Sequence, residues 1–311
     1  MKVDTHFSIV IPAYMSGQFL ANTIEEIIEV TNKSKFSYEI IIVVDGSPDN
    51  TWEEAFDLAK KYEFIKSIKL LRNYGQHSAN VCGFRHSIGE YVITMDDDGQ
   101  NPASELHKFE DFYDSEFDLV IGKLKSKKHG LIRRLGSKLI SYLNRKIFSI
   151  KTNLVLSNFR MIRKDVIDRI NSDISPQPYV PGLCLKYSFN QVNVEVLHKE
   201  RVIGKSNYNL KTLISLLMEL LIQHSYIPLK ILAYLGACIA LLGIIGASYI
   251  FSSWLMGQAV DVEGWRSIIM ILLISCGMIM AGISILGLYV IRVIENQSGQ
   301  QYIESHKSWI E

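Results

Sequence analysis

An α/β domain on a mostly parallel sheet flanked by helices, followed by an interfacial amphipathic helix and a two-helix transmembrane hairpin, is the architecture this chain predicts. Three observations carry that expectation. Short apolar strand patterns alternate with helical ones over roughly the first 120 residues; three consecutive carboxylates, Asp96, Asp97 and Asp98, close one such strand; and two long C-terminal runs contain no charged residue. Strands that apolar need cover on both faces, which is how parallel sheets sit between helical layers.

The elements follow in order. Residues 7–11 form an apolar run ending at Pro12, and 17–30 have helical periodicity. Residues 38–44 are β-branched and continuous, stopping at Asp45-Gly46-Ser47-Pro48, a turn sequence. Helical 51–62, strand-like 65–71, helical 76–88 and strand-like 91–95 come next, then 118–122 as another strand. Beyond Lys164 the pattern loosens: Pro176, Pro178, Pro181 and Gly182 make a rigid loop, and 192–197 alternates as a strand does. Leu210, Leu213, Leu217, Leu220 and Leu221 make an apolar stripe on a helix expected to lie along the membrane, closed by Pro228.

Of the 311 residues, 48% are hydrophobic, and the excess sits in 231–256 and 267–291. Each run exceeds the roughly 20 apolar residues that cross a bilayer as helix. The linker between them carries Asp261 and Glu263, with Arg266 at its end. Lys205, Lys211 and Lys230 precede the first run, and Arg292 and Lys307 follow the second. The positive-inside rule then places both termini, and the globular domain ahead of the first run, in the cytoplasm. The N-terminus enters a strand directly, so no signal peptide is expected. The expected divisions are a globular domain over 1–204, a juxtamembrane segment over 205–229, the two spans within 230–294, and a tail over 295–311.

The net charge of +1 conceals a block, 119–164, with thirteen Lys or Arg and no Asp or Glu. Leu131, Leu135, Leu139, Tyr142 and Leu143 recur at helical spacing within it, which favours a basic amphipathic helix on anionic headgroups over a nucleic-acid partner. Cys82, Cys184, Cys238 and Cys276 are scattered with no CxxC pair, the pattern of reduced thiols with neither a disulfide framework nor a zinc site. No GxGxxG follows the first strand and no GxxxxGK[ST] occurs, so neither a dinucleotide fold nor a P-loop is supported.

Adjacent carboxylates are costly unless a cation offsets them. In open α/β sheets ligands bind beyond the carboxyl ends of the strands, so Asp96 to Asp98 at that point fit a divalent metal holding a phosphorylated substrate. A solvated acidic turn is the plainer alternative.

Six motifs recur in a fixed order: Ile11-Pro12-Ala13-Tyr14; Val44-Asp45-Gly46-Ser47 with Asp49; Arg72-Asn73-Tyr74-Gly75-Gln76-His77; Met95-Asp96-Asp97-Asp98 with Gln100 and Pro102; Asn158-Phe159-Arg160; and Gly204-Lys205-Ser206-Asn207-Tyr208. In that order the chain resembles family 2 glycosyltransferases of the polyprenyl-phosphate type. These include dolichol-phosphate mannose synthases and bacterial undecaprenyl-phosphate glucosyltransferases and 4-deoxy-4-formamido-arabinose transferases. The resemblance spans nearly the whole chain, the hairpin included, and is specific for the family but not for the sugar.

The resemblance implies a GT-A domain. Asp45 would recognise the nucleotide base, Asp96 and Asp98 would hold Mg²⁺ or Mn²⁺, Arg72 would lie near the donor, and Pro12, Ala13, Tyr14, Gln76 and Asp97 would line the nucleotide pocket. Asp97 ranks lower than its neighbours, because strand alternation, if it persisted, would turn it away. The chain departs from the family pattern at Val44, where an Asp is usual, at Gly99, where Leu is common, and at Asn158, where many members carry an Asp proposed as catalytic base. Asn cannot accept a proton, but a lipid phosphate is already anionic, so Asn158 is expected to orient it. Arg160, Arg201, Lys205 and Ser206 are the candidates to hold that phosphate.

The expected activity is inverting transfer of a sugar from a nucleotide-diphosphate donor, a uridine nucleotide by resemblance, to undecaprenyl or another polyprenyl phosphate, in cell-envelope glycan synthesis or lipopolysaccharide modification. A homo-oligomer, tetrameric by resemblance, is expected. Two rivals are a transferase that extends a lipid-linked oligosaccharide and an inactive membrane scaffold.

Overall fold

The computed structural model describes residues 5–124, 154–173, 178–197 and 302–309, with isolated positions between 252 and 293. The chain divides into two compact units, one formed by Met1–Ser206 with Ser298–Glu311 and the other by Asn207–Gln297.

Its elements alternate as the sequence predicts. They are β1 (Phe7–Ala13), α1 (Leu20–Thr31), β2 (Tyr38–Val44), α2 (Thr51–Lys61), β3 (Ile65–Leu70), α3 (Gln76–His86) and β4 (Tyr91–Thr94). A 3₁₀ turn (Ala103–Leu106) runs into the short α4 (His107–Glu110). Then come β5 (Leu119–Leu124), β6 (Arg160–Arg163), α5 (Lys164–Asn171), α6 (Val180–Tyr187), β7 (Gln191–Val196) and β8 (Glu304–Lys307).

The eight strands form one sheet in the order β7-β5-β6-β4-β1-β2-β3-β8. Its central four, β4-β1-β2-β3, are parallel throughout. The flanks are mixed: β6 pairs antiparallel with both β4 and β5, β7 is parallel to β5, and β8 is antiparallel to β3. The expectation of a mostly parallel sheet therefore describes the centre, and the whole is a mixed α/β sheet. Local periodicity registers a buried strand but not its partner's direction, and Arg160–Arg163, with arginine at both ends, carries little strand signal at all.

Both faces of the sheet are covered. Ile9, Ile11, Ile40, Ile42 and Val44 pack on one side with Leu20, Ile24 and Ile27 of α1. Val10, Ile41, Val43 and Ile68 pack on the other with Ala79, Val81, Cys82 and Phe84 of α3. This two-sided burial is why β1 and β2 read as unbroken apolar runs. In α2, Glu53 and Glu54 lie in the first turn and Lys60 and Lys61 in the last, matching the helix dipole at both ends.

Two features shape the edge where ligands would enter. Pairing of β1 with β4 stops at Val10↔Thr94, so Pro12 has only β2 beside it, an edge-like position where a residue lacking N–H is tolerated. Gly46 has φ 58°, and a Cβ there would lie 2.2 Å from the Arg72 carbonyl carbon, so the loops after β2 and β3 close on each other only because that position is glycine.

The C-terminal segment returns to the sheet. Leu71 N–H bonds to Ile303 O, Ser308 N–H to Ser67 O, and β8 covers the β3 edge, so these tail residues belong to the globular unit. The basic amphipathic segment and the interfacial helix lie outside the described residues. Among the described residues no helix is long and apolar enough to cross a membrane, and the two uncharged runs fall almost wholly outside them.

Candidate active site

The loops that follow β1, β2, β3 and β4 leave the sheet side by side at the carboxyl ends of neighbouring parallel strands, the place where open α/β sheets bind ligands. Between them opens a cleft of about 370 Å³ lined by Pro12, Ala13, Tyr14, Asp45, Asn73, Gly75, Gln76, Asp96, Asp97, Asp98 and Asn158.

Each loop is fastened from beneath. After β1, the N–H groups of Met15, Ser16 and Gly17 donate to Ser47 Oγ (2.8 Å), Thr51 Oγ1 (2.9 Å) and Asp49 Oδ2 (3.3 Å) at the start of α2. Asp49 also accepts from Ser47 Oγ at 2.6 Å and from Thr51 N at 3.2 Å. After β2, Asp45 is almost fully buried and accepts Tyr74 N–H and Gly75 N–H, each at 2.8 Å, with its two oxygens. Burial is the main influence on Asp45 and raises its pKa, the two N–H donors opposing it. Asp45 thus pins the loop that carries Asn73 and Gly75; each oxygen keeps a second lone pair for a ligand.

The acidic triplet does not continue the strand. β4 ends at Thr94, and all three side chains reach the cleft. The alternation that would turn Asp97 away therefore does not apply: Tyr14 N–H donates to Asp97 Oδ2 at 3.1 Å, and Thr23 Oγ1 holds the Asp97 carbonyl at 3.1 Å. Gln76 Nε2 donates to Asp96 Oδ1 at 2.6 Å, and Gln100 N–H donates to Asp98 Oδ1 at 3.1 Å. Burial first, then the charge of Asp98, pushes the Asp96 pKa up, against hydrogen bonds from Gln76 and Asn158 and the charge of Arg160. Asp97 is pushed up to about 6, chiefly by burial, although Ser16 and the Tyr14 N–H counter it.

Asn158 closes the far wall. Its Nδ2 lies 3.2 Å from Gln76 Oε1 and 3.5 Å from Asp96 Oδ1, and its carbonyl is held by Thr94 Oγ1. Arg160 is the correction here. Expected to face the acceptor phosphate, it is 1% exposed and absent from the lining. Its Nη2 donates to Asn158 Oδ1 at 2.9 Å and its Nε to Thr94 Oγ1 at 3.2 Å, because β6 pairs with β4 and carries the guanidinium under the cleft floor. Arg72 is exposed at the rim, its guanidinium 5.0 Å from the Tyr74 ring, outside the lining. Asn73 and Gly75 line the cleft without having been singled out, although both stand inside a motif already noted. Arg201, Lys205 and Ser206 lie outside the described residues.

Among the described residues, the lining holds four carboxylates and no lysine or arginine. Carboxylate and amide oxygens are hard donors, and Asp96 and Asp97, whose pKa values are raised chiefly by burial with neighbouring carboxylates adding to it, are groups whose ionised form a dication would favour. The residues present therefore fit a hard divalent ion.

Residues 8–170 match the family model "Glycosyl transferase family 2". The chain belongs to that family. Relatives from Pectobacterium atrosepticum and Edwardsiella ictaluri, each an undecaprenyl-phosphate 4-deoxy-4-formamido-L-arabinose transferase, are both 30% identical to it. The first match covers 92% of this chain and 88% of the relative, the second 94% and 90%. This glycosyltransferase is also similar in fold to the glucosyl-3-phosphoglycerate synthase of Mycobacterium tuberculosis, crystallised with Mn²⁺, UDP and glucosyl-3-phosphoglycerate. That match has a TM-score of 0.48 at 17% identity over 70% of this chain and 78% of that one.

Proposed function

We propose that this family 2 enzyme transfers a sugar from a nucleotide-diphosphate donor to undecaprenyl or another polyprenyl phosphate, with inversion, at the cytoplasmic face of the membrane. The observation that carries the reading is a cleft at the carboxyl ends of four parallel strands, lined by four carboxylates with no lysine or arginine among the described residues. A diphosphate entering such a cleft meets like charge, which a cation between it and the carboxylates would offset. The similarity to undecaprenyl-phosphate 4-deoxy-4-formamido-L-arabinose transferases supports a lipid phosphate as acceptor.

In this reading Asp96 and Asp98 hold Mg²⁺ or Mn²⁺, which when bound offsets the charge that develops on the departing diphosphate. Pro12, Ala13, Tyr14 and Asp45 border the nucleotide, with Asn73 and Gly75 beside them and uridine as the expected base. Asp97 fixes the loop that bears its neighbours, through Tyr14 N–H and Thr23 Oγ1. Gln76 and Asn158 meet at Asp96 Oδ1 and set its orientation. The acceptor needs no general base, since its phosphate oxygen is anionic, so Asn158 orients and Arg160 holds Asn158 from below. Arg201, Lys205 and Ser206 remain the residues assigned to the acceptor phosphate. Catalysis is then mainly placement and charge offset.

The order of elements suits a hairpin: the two uncharged runs lie between β7 and β8, strands of one sheet, as two crossings would require. Screening a panel of nucleotide sugars with undecaprenyl phosphate and purified protein in detergent tests the reading. A single lipid-linked monosaccharide, resolved by thin-layer chromatography, is expected; no product with any donor, or stepwise elongation of a lipid-linked oligosaccharide, would overturn it.

A further inference from the structure

Away from the cleft, α3 and the returning strand β8 bring three metal-ligating side chains to one point. Cys82 and His86 lie one helical turn apart on α3, and Glu304 is the first residue of β8, 218 positions beyond His86 in the sequence. One ligand atom from each, Cys82 Sγ, His86 Nε2 and a Glu304 oxygen, all lie within 4.8 Å of one another. Cys82 Sγ is 3.5 Å and His86 Nε2 is 2.8 Å from Glu304 Oε1.

We propose that Cys82, His86 and Glu304 form a binding site for a zinc-class divalent cation that fastens the C-terminal strand to α3. The donor set decides the class. A thiolate, an imidazole and a carboxylate suit a borderline ion such as Zn²⁺, whereas Mg²⁺ and Ca²⁺ prefer all-oxygen sites. The spacing is close to what such an ion needs: with Zn–N about 2.0 Å and Zn–S about 2.3 Å, tetrahedral ligand atoms sit about 3.3–3.7 Å apart, so ligand atoms within 4.8 Å of one another need shifts of at most about 1.5 Å. Water takes the fourth position.

Charge and access fit as well. Lys307 Nζ lies 3.1 Å from Glu304 Oε2, which leaves Oε1 turned toward the cysteine and histidine. A thiolate, a neutral imidazole and a carboxylate sum to −2, so a dication leaves the site neutral while displacing a proton from Cys82 and any carried by His86. Burial, and secondarily Glu304, hold the Cys82 thiol protonated in the ion's absence; a coordinated dication reverses that preference. Cys82 is fully buried, but the His86 and Glu304 side chains are 18% and 21% exposed and give the ion a way in. Cysteine spacing points away from zinc because the ligands meet only when β8 docks, and that pattern tests for Cys–Cys pairs.

The test uses the full chain in detergent, stripped with chelator and titrated with Co²⁺ and then Zn²⁺. A thiolate-to-cobalt charge-transfer band saturating at one ion per chain is expected, displaced by Zn²⁺ and unchanged by Asp96→Asn, which alters only the cleft. Cys82→Ser should abolish the band, and His86→Gln and Glu304→Gln should each weaken the ion at least tenfold. A band that survives Cys82→Ser, or no thiolate band in the wild type, overturns the site and leaves the His86–Glu304 pair as a simple ion-pair clasp. Should Cys82→Ser fail to fold, unchanged affinity in both His86→Gln and Glu304→Gln would overturn it equally.

Discussion

Gln76 Nε2 donates to Asp96 Oδ1 at 2.6 Å, tying the first residue of α3 to the loop beyond β4. One oxygen of Asp96 is thereby oriented before any ligand arrives. Replacing Gln76 with Leu removes a hydrogen bond to a charged group, worth about 1.5–3 kcal/mol. Transfer should fall about 10- to 100-fold, and the divalent-ion concentration for half-maximal activity should rise. Unchanged ion dependence would disconnect Gln76 from the metal.

Asp96→Asn and Asp98→Asn keep the shape and remove the charge. Each should lower sugar transfer by about 10²-fold or more, the scale of losing one preorganised electrostatic group. A radiolabelled nucleotide-sugar assay reads this directly, and wild-type turnover in either variant would remove the metal from the mechanism.

Arg160 makes its hydrogen bonds inward, to Thr94 and Asn158. Arg160→Met should leave both partners wanting and destabilise the fold by about 1–3 kcal/mol, read as a lower thermal midpoint. Because the side chain does not line the cleft, Arg160→Lys should lower kcat while leaving the KM for polyprenyl phosphate near the wild-type value. A selective rise in that KM would return Arg160 to the acceptor.

Asp97 supplies a pH signature. Its pKa in the fold is about 6, above the carboxylate value of about 3.9 in an unfolded chain, so the folded state binds more protons between those values. Stability from this group is present below about pH 4 and declines as pH rises through about 6, by an amount on the order of 1–3 kcal/mol. With divalent ions chelated, thermal scans of wild type and Asp97→Asn should converge at low pH and separate above pH 6, the variant being the more stable. A bound cation should shrink the separation.

Gly46→Ala forces a side chain into φ 58° and against the Arg72 backbone. A loss of about 2–4 kcal/mol is expected in denaturant unfolding, with weaker donor binding because the Asp45 loop shifts. A near-neutral outcome would show that the two loops can separate without cost.

The central sheet was legible because burial on both faces leaves a sequence mark, the unbroken apolar runs of Phe7–Ala13 and Tyr38–Val44. The positions of Asp45, Asp96 and Asp98 were legible for a similar reason: strand ends and turn residues announce where a loop leaves the sheet, whereas Gln76 was marked only by the motif order. Asp97 was misjudged through an assumption of continued pleating, and β4 stops at Thr94. Arg160 was misjudged because an arginine's type says nothing of which side of a strand it occupies.

By itself, then, the sequence determined the alternation of elements, the acidic loop and the family, all of which rest on local pattern and motif order. Tertiary structure alone decided that β6 runs antiparallel and buries Arg160 beneath Asn158, that Asp97 joins its neighbours in the cleft, and that Glu304 comes to rest beside Cys82 and His86. Each of these is a pairing between distant segments, fixed by which strand edge remains open when a segment returns. Neighbouring residues along the chain carry no record of that choice.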